Sequence, residues 1–478
     1  MTLDKISVNA AIKEVESLLK KEEHLSPALK AAIKILIVLI TMFANRFGLN
    51  SKNSSAPPAE DKRRKRGSSR EKSGKKPGGQ NGHIGTKLEK VAEPDKIEEI
   101  KVDKRRLPKG QYREVGYESR QVFDIEISRV ITEYRAQILE DRQGMRFVAE
   151  FPPQVKNAVQ YGMEVKVNSV YMSQFQLLPY SRIQNQFADQ MNLPLSAGTI
   201  FNFNQETYDL LECFDEIAKE QLAQSLLMHA DETGINVDKK RIWLHSASNE
   251  KWTYFYPHSK RGAEAMNDIG IIPRFNGVLC HDHWKPYFKY SCRHALCNAH
   301  HLRELTCAEE DHQKWATAMK TLLLEINKAV DAAGGKLLPC DAEIYRSKYR
   351  EILKQADKTE CPSPQKIREK GRRGKTKKSK SRNLLERLRD FEDETLRFMN
   401  VDYVPFTNNL GENDIRMTKV QQKISGCFRS MEGAFIFCRI RGYLSTCRKN
   451  GVNATDALRL LFQGKLPDFV GNNIVKNQ

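Results

Sequence analysis

The sequence predicts a multidomain chain of mixed α+β/α/β class, on three observations. Strand-like runs crowd into one stretch: Leu226–Asp231, Arg241–Ser246, Trp252–Tyr256 and Gly277–Asp282. Apolar residues recur at helical spacing before and after that stretch. The length of 478 residues is roughly three times the ~150 of a typical domain.

In chain order, residues 1–48 read as a helical, coiled-coil-like segment. Ile12, Val15, Leu18 and Leu19, then Leu29, Ile33, Leu36, Ile37 and Ile40, keep a 3–4-residue spacing past Pro27. Ile35, Val38 and Leu39 make the second part apolar on more than one face, so it needs cover. A hairpin packed on the chain's own body and a dimer both supply it. Residues 49–90 are rich in Ser, Gly, Pro and basic residues, a flexible linker. Residues 91–155 favour short strands, because Gln121–Leu139 interleaves Val122, Ile125, Ile127, Val130 and Ile131 with charges.

Residues 156–224 turn helical. Ser181–Met191, a break at Asn192–Leu195 and Ser196–Leu211 read as helix, turn, helix, with Ser196 as N-cap. Such a pair is a DNA-reading unit in some proteins and ordinary packing in many others. In the strand-rich stretch, Gly234–Val237 extends the first run, Gly262–Ile269 reads as a short helix, and a longer helix runs from about His294 to Ala308. Residues 309–400 are helical apart from a basic Pro/Gly/Lys strap at 362–382. The C-terminal part holds helices from Asn409 to about Lys423, Met431–Lys449 and Ala454–Gln463.

Charge narrows the partner class. The net charge of +19 comes from 79 Lys+Arg against 60 Asp+Glu. Residues 51–90 hold twelve basic and four acidic residues, and residues 366–382 hold ten and one, so two straps carry +17 of that excess. The rest of the chain is almost neutral, and a polyanion such as nucleic acid is the expected partner of Lys62, Arg63, Arg64, Lys65, Arg66, Arg372 and Arg373. Lys62–Arg66 as a mere solubilising tail is the plainer alternative. The longest apolar run, Ile35–Ala44, falls short of the ~20 residues a bilayer span needs. No signal peptide opens the chain, and all ten cysteines lie at or after Cys213 without a regular framework. A cytoplasmic protein, at the nucleoid if it binds DNA, is expected. A Walker-type phosphate loop is missing, which argues against an ATP-driven machine.

Two strand runs end in aspartate, at Asp231 and Asp282. Parallel neighbouring strands would bring them within about 5 Å of one another. Carboxylates that close repel unless a cation lies between them, and hard oxygen ligands favour Mg²⁺ or Mn²⁺. Two such ions about 3.5–4 Å apart suit in-line displacement at phosphorus. Each aspartate has a modest alternative: Asp231 starts a turn, or Asp282 caps the segment from His283. Glu412 is the candidate third carboxylate, on a helix whose Glu412, Arg416, Lys419 and Lys423 share one face. There too, Asn409 and Glu412 fit a capping box, and Glu412 with Arg416 fits an ordinary i,i+4 pair.

Cys292, Cys297, His300, His301 and Cys307 invite a zinc reading, but their spacing matches no common finger. On a helix from His294, Cys297 and His301 share a face and His300 turns away. Buried thiols and a DNA-facing histidine are therefore favoured over zinc.

Several separated blocks resemble transposases of the insertion sequence 66 family, of the DDE class. Asn53-Ser54-Ser55 and Lys76-Pro77-Gly78-Gly79-Gln80-Asn81-Gly82-His83 are similar to that family's linker signature. His229–Thr233 and Cys280–Tyr287 resemble its blocks around two catalytic aspartates. Cys297–Arg303 resembles its C-x-A-H-x-R-R helix, with Glu304 where a second basic residue is usual, and Asn408–Arg416 resembles the block holding its glutamate. Gly426–Ser430 and Arg448–Val452 also look like family text.

The resemblance implies an RNase H-like core over 225–308 and 401–425, split by a helical insertion at 309–400 and followed by a helical C-terminus at 426–478. Asp231, Asp282 and Glu412 would be both catalytic residues and ligands to two Mg²⁺ or Mn²⁺ ions. His300, Arg303, Arg416 and Lys419 would join the basic straps as DNA contacts. Residues 91–155 correspond to a module that carries zinc-binding cysteines in relatives. None lies there in this chain, so zinc is not carried over. The implied function is cleavage at the ends of an insertion sequence and transfer of the 3′-OH ends into target DNA. The implied partners are double-stranded DNA (the terminal inverted repeats and the target), a homo-oligomer assembled on that DNA, companion proteins of the element, and no membrane. A nuclease of the same fold without strand transfer, and a catalytically silent DNA-binding regulator, are the rival readings.

Overall fold

The computed structural model describes residues 2–3, 6–22, 24–47, 88–359 and 378–471. Near its centre, five strands form one mixed sheet: β1 (Leu227–Val237), β2 (Lys240–Ser248), β3 (Thr253–His258), β4 (Val278–His281) and β5 (Arg293–Leu296). Their order across the sheet is β3-β2-β1-β4-β5. The first three form an antiparallel meander, while β4 and β5 add in parallel to the free side of β1. The β1–β2 turn is the two-residue pair Asp238-Lys239, both at positive φ, which matches the twist of the strands it joins. Gly277 opens β4 where a Cβ would lie 2.5 Å from the carbonyl oxygens of Ser225 and Leu226, so only glycine lets β4 close on β1.

Helices cover both faces. Met228, Ala230 and Leu279 point into a core built with α3 (Met163–Val170), α4 (Tyr180–Met191), α5 (Ala197–Leu210) and α6 (Glu212–Ala223). On the opposite face, Val278, Cys280 and Ala295 meet α8 (Asn298–Glu310), α9 (Lys314–Ala332), α10 (Pro339–Thr359) and α11 (Lys380–Asp390). Ile235, Val237 and Leu244 pack on Ile415 of α13 (Asn409–Ser425) and Phe437 of α14 (Met431–Lys449). The short helices α7 (Ala263–Ile269) and α12 (Glu392–Leu396) and the C-terminal α15 (Ala454–Phe462) complete the body. Among the described residues, no helix is long and apolar enough to cross a membrane.

The helix-turn-helix spacing forms as α4 and α5, and Ser196 Oγ accepts the Thr199 N–H at 2.9 Å as N-cap. The three C-terminal helices also lie where periodicity puts them. Two expectations need correction. The helix expected from His294 begins at Asn298 instead. Its first residues belong to β5, because the buried run His294–Leu296 pairs in register with Leu279–His281 of β4. In the expected β-rich stretch, Gln121–Gln137 forms no strand. The ladder there joins Ile138–Glu140 to Arg146–Val148 only. Val122, Ile125, Val130 and Ile131 stay exposed, since a two-stranded ribbon without a covering layer is marginal in water.

At the N-terminus, α1 (Val8–Lys21) packs on α2 (Pro27–Phe47), where Pro27 takes the first helical position. Ile35, Leu36, Val38, Leu39 and Ile40 of α2 remain exposed in the single chain.

Candidate active site

The parallel pairing of β1 and β4 sets Leu227 beside Val278, Met228 beside Leu279 and His229 beside Cys280. Two residues further along each chain come Asp231 and Asp282, on the same face of the sheet. Asp231 is mostly buried, and its Oδ1 accepts the Glu232 N–H at 2.9 Å. Asp282 Oδ1 accepts the Trp284 N–H at 3.0 Å, so it also shapes the turn into the 3₁₀ segment Lys285–Lys289. The modest reading of Asp282, as cap of the segment from His283, holds.

Glu412 arrives from α13, and the geometry of that arrival starts at Asn408. This buried residue donates from Nδ2 to the Ala230 carbonyl at 3.0 Å, and its Oδ1 lies 2.6 Å from His229 Nδ1. Its backbone N–H donates to Cys297 Sγ at 3.1 Å. A Cβ on Gly411 would lie 3.1 Å from Asn408 Oδ1 and 3.3 Å from His229 Cβ, so the first turn sits tight on β1. Further along, Asp414 accepts from Lys449 Nζ at 2.6 Å, and Lys419 Nζ donates to the Gly234 carbonyl at 2.7 Å. The helix is thus fastened to β1 at its start and at Lys419, and to α14 in between.

The capping box at Asn409 does not form. The N-cap is Asn408, and its side chain is spent on β1 rather than on the helix. Among the described residues, the cation beside Glu412 is Arg303, at 3.8 Å, and not the exposed Arg416; His300 Nδ1 lies equally near, but burial disfavours its charged form.

The electrostatics single out Asp231. Burial pushes its carboxyl well above the ordinary aspartate range. The charges of Glu232, Asp282 and Glu412 push the same way, against one opposing backbone hydrogen bond. Although among the described residues the three carboxylates do not close into one ligand cluster of the kind that Cys297, His300 and Glu412 form, the charges of Asp282 and Glu412 thus reach the Asp231 carboxyl. Such an oxygen-rich donor set fits hard divalent cations, whose charge would relieve the repulsion.

On the other face of β1, Glu232 has a different fate. Its side chain is 1% exposed. Tyr287 Oη donates to Oε2 at 2.6 Å, while Arg261 donates to Oε1 from Nε at 2.9 Å and Nη2 at 2.6 Å. The guanidinium lies 4.1 Å from the Trp284 ring centre and 4.8 Å from that of Trp243. Burial and Asp282 raise this carboxyl, and Tyr287 and Arg261 pull it back. Sequence reasoning missed this buried network, along with the fastening roles of Asn408 and Lys449. The repeated Asn408-Asn409 before Glu412 was the available signal for Asn408.

The facing of the Cys/His block is also corrected. Cys297 is the last extended residue before α8, and its thiol shares a side with His300 and Glu412. His301 is the buried one, with Nδ1 at 3.0 Å from Asn298 Oδ1. Lys62, Arg63, Arg64, Lys65, Arg66, Arg372 and Arg373 lie outside the described residues.

Asp231 within β1, Asp282 just past the end of β4 and Glu412 on α13 bring acidic side chains to one side of a mixed sheet. Residues 159–435 match the family described as "Transposase IS66 family", and the chain belongs to it. Members are transposases, proteins that bind DNA and act on it. Residues 3–89 match a further family of unknown function, DUF6444. A search of curated proteins finds no match.

Proposed function

We propose that the protein is a DDE transposase with an RNase H-like core, cleaving the ends of an insertion sequence and joining their 3′-OH groups to target DNA. The observation that carries this reading is the convergence of Asp282 and Glu412 on the buried Asp231. Asp231, Asp282 and Glu412 would hold two Mg²⁺ or Mn²⁺ ions. When bound, these neutralise developing charge on phosphate oxygens and lower the pKa of an attacking hydroxyl.

The chain's own residues do the positioning. Asn408 and Lys419 lock α13 against β1, which fixes the reach of Glu412. Arg303 and His300 flank that carboxylate from α8 and orient it. Arg303, with a third of its side chain exposed, and Arg416, out on α13, are placed to meet backbone phosphates. The α4–α5 pair and the basic straps would grip the element's ends, in a salt-dependent manner. The open apolar face of α2 supports self-association on DNA, and companion proteins of the element remain part of the proposal.

The test incubates the purified protein with an end-labelled terminal repeat and Mg²⁺. Cleaved and joined products are expected. Cleavage without joining would make it a nuclease of the same fold, and a mobility shift without cleavage would make it a DNA-binding regulator.

A further inference from the structure

Beside the acidic pair lies a second donor cluster, which shares Glu412 with the proposed chemistry and adds to it the thiol of Cys297 and the ring of His300. Cys297 Sγ is 3.9 Å and His300 Nδ1 3.8 Å from the same oxygen of Glu412, Oε1. The ligand atoms of all three side chains fall within 4.8 Å of one another. In a tetrahedral zinc site with ordinary Zn–S, Zn–N and Zn–O bonds, donor-to-donor edges are roughly 3.3–3.7 Å. Side-chain shifts of at most about 1 Å close the cluster on one ion.

Two details of the surroundings point to a ligand. His300 Nδ1 is buried and has no hydrogen-bond partner among the described residues, so a buried acceptor faces the cluster unsatisfied. Cys297 Sγ receives the Asn408 N–H at 3.1 Å, and the Ala299 and His300 N–H groups at the start of α8 also favour its ionised form. N–H donors converging on a sulfur are the outer-shell arrangement that supports a metal-bound thiolate.

We propose that Cys297, His300 and Glu412 form a site for one thiophilic divalent cation of the zinc class, with its fourth position open to water or a phosphate oxygen. The C-x₂-H spacing makes no common finger. The sequence-based exclusion of zinc needs His300 to face away, and the fold turns it toward Cys297. Burial pushes the free Cys297 thiol up to about 11, so the metal-free site is protonated at neutral pH. Loading it exchanges that proton for the ion: thiol plus M²⁺ gives metal thiolate plus H⁺. The site goes beyond the transposase reading, and only its consequence rests on that reading. An ion that takes Glu412 Oε1 competes with the acidic pair for the same carboxylate, so zinc should oppose magnesium-dependent cleavage.

The test needs no DNA and therefore stands apart from any failure of the transposase reading. The full-length, reduced, metal-free protein is titrated with Co²⁺ and followed by absorbance. Thiolate-to-cobalt bands in the near ultraviolet and tetrahedral bands in the visible are expected, saturating at one equivalent and displaced by Zn²⁺. Cys297→Ser should abolish the near-ultraviolet bands. His300→Ala should weaken binding by more than the ~10–100-fold typical of losing an outer-shell contact. Asp282→Asn, which touches only the acidic pair, should leave the bands in place. Circular dichroism confirms that each variant is folded. Bands that persist in folded Cys297→Ser, or none in folded wild type, would overturn the site.

Discussion

Asp231 and Glu232 are consecutive acidic residues of one strand, both with carboxyls raised by burial, yet the fold gives them different partners. Glu232 meets a tyrosine hydroxyl and a guanidinium that satisfy its two oxygens. Asp231 meets further carboxylates and a single backbone N–H. A strand alternates its faces, so one step along the chain separates a carboxylate the fold neutralises from one it leaves unbalanced. Neutralised charge serves stability. Unbalanced charge is retained at a cost to stability, and in the proposed function a cation would offset it.

The sharpest way to break this contrast is to neutralise each side chain in turn. Asp231→Asn should remove cleavage by about three orders of magnitude or more, the equivalent of several kcal/mol of charge stabilisation. It should still retain DNA, and in the absence of metal it should melt above wild type, because the repulsion is gone. Glu232→Gln should move stability the other way. The amide can keep Arg261 on its oxygen and donate from its NH₂ to Tyr287 Oη, but it forfeits the charge that pairs with the guanidinium, at a cost of about 1–2 kcal/mol. Thermal melts in chelator decide the matter. If both variants melt lower, Asp231 is an ordinary structural residue.

Tyr287→Phe tests a smaller part of the same network. It removes the hydroxyl from one oxygen of Glu232 and leaves the Arg261 pair in place, so the expected loss is about 1–2 kcal/mol. Denaturant unfolding of the variant against wild type measures it. No loss would mean that Arg261 alone satisfies Glu232.

What could be read from the sequence follows from how local each feature is. Asp282 is legible because the strand pattern stops at it, whereas Asp231 neither ends its strand nor starts a turn, since β1 runs on through Val237 in register with β2. The helix carrying Glu412 is legible from its periodicity. Where Glu412 sits depends on Asn408 bonding Ala230 and on Lys449 bonding Asp414, contacts between distant segments that no spacing announces. The link from Glu232 to Tyr287 and Arg261 is hidden for the same reason. The block at 293–301 misleads because His-Ala-Leu reads equally as helix start and as a short buried strand. Only the parallel partner β4 decides it, and that choice sets which histidine Cys297 meets. Residues 121–137 show the converse, an alternating pattern that finds no neighbouring strand to pair with. Membership of the transposase family was legible from separate blocks of text, whereas the donor cluster of Cys297, His300 and Glu412 needed the fold.

The pH dependence of stability separates the unbalanced carboxylate from the buried histidines, because the two act with opposite sign. The carboxyl of Asp231 is raised in the folded state, so the folded protein holds a proton that the unfolded chain releases above about pH 4. Its contribution is most favourable in acid and is lost as pH rises through the folded-state value. His245 and His283 are lowered to about 4, and His281 to about 3, each chiefly by burial. They cost nothing at neutral pH. Below the unfolded value of about 6.5 the unfolded chain takes up protons that the fold refuses, so they destabilise on acidification. The wild-type curve mixes both effects, but the difference between Asp231→Asn and wild type contains only the first. In chelator, that difference should be positive at pH 7.5 and shrink toward zero by about pH 4. Divalent ions should abolish the wild-type deficit at neutral pH and leave the variant unmoved. A difference that is flat across this range would mean that Asp231 titrates as an ordinary carboxylate, and the contrast between the two faces of β1 would then lose its meaning.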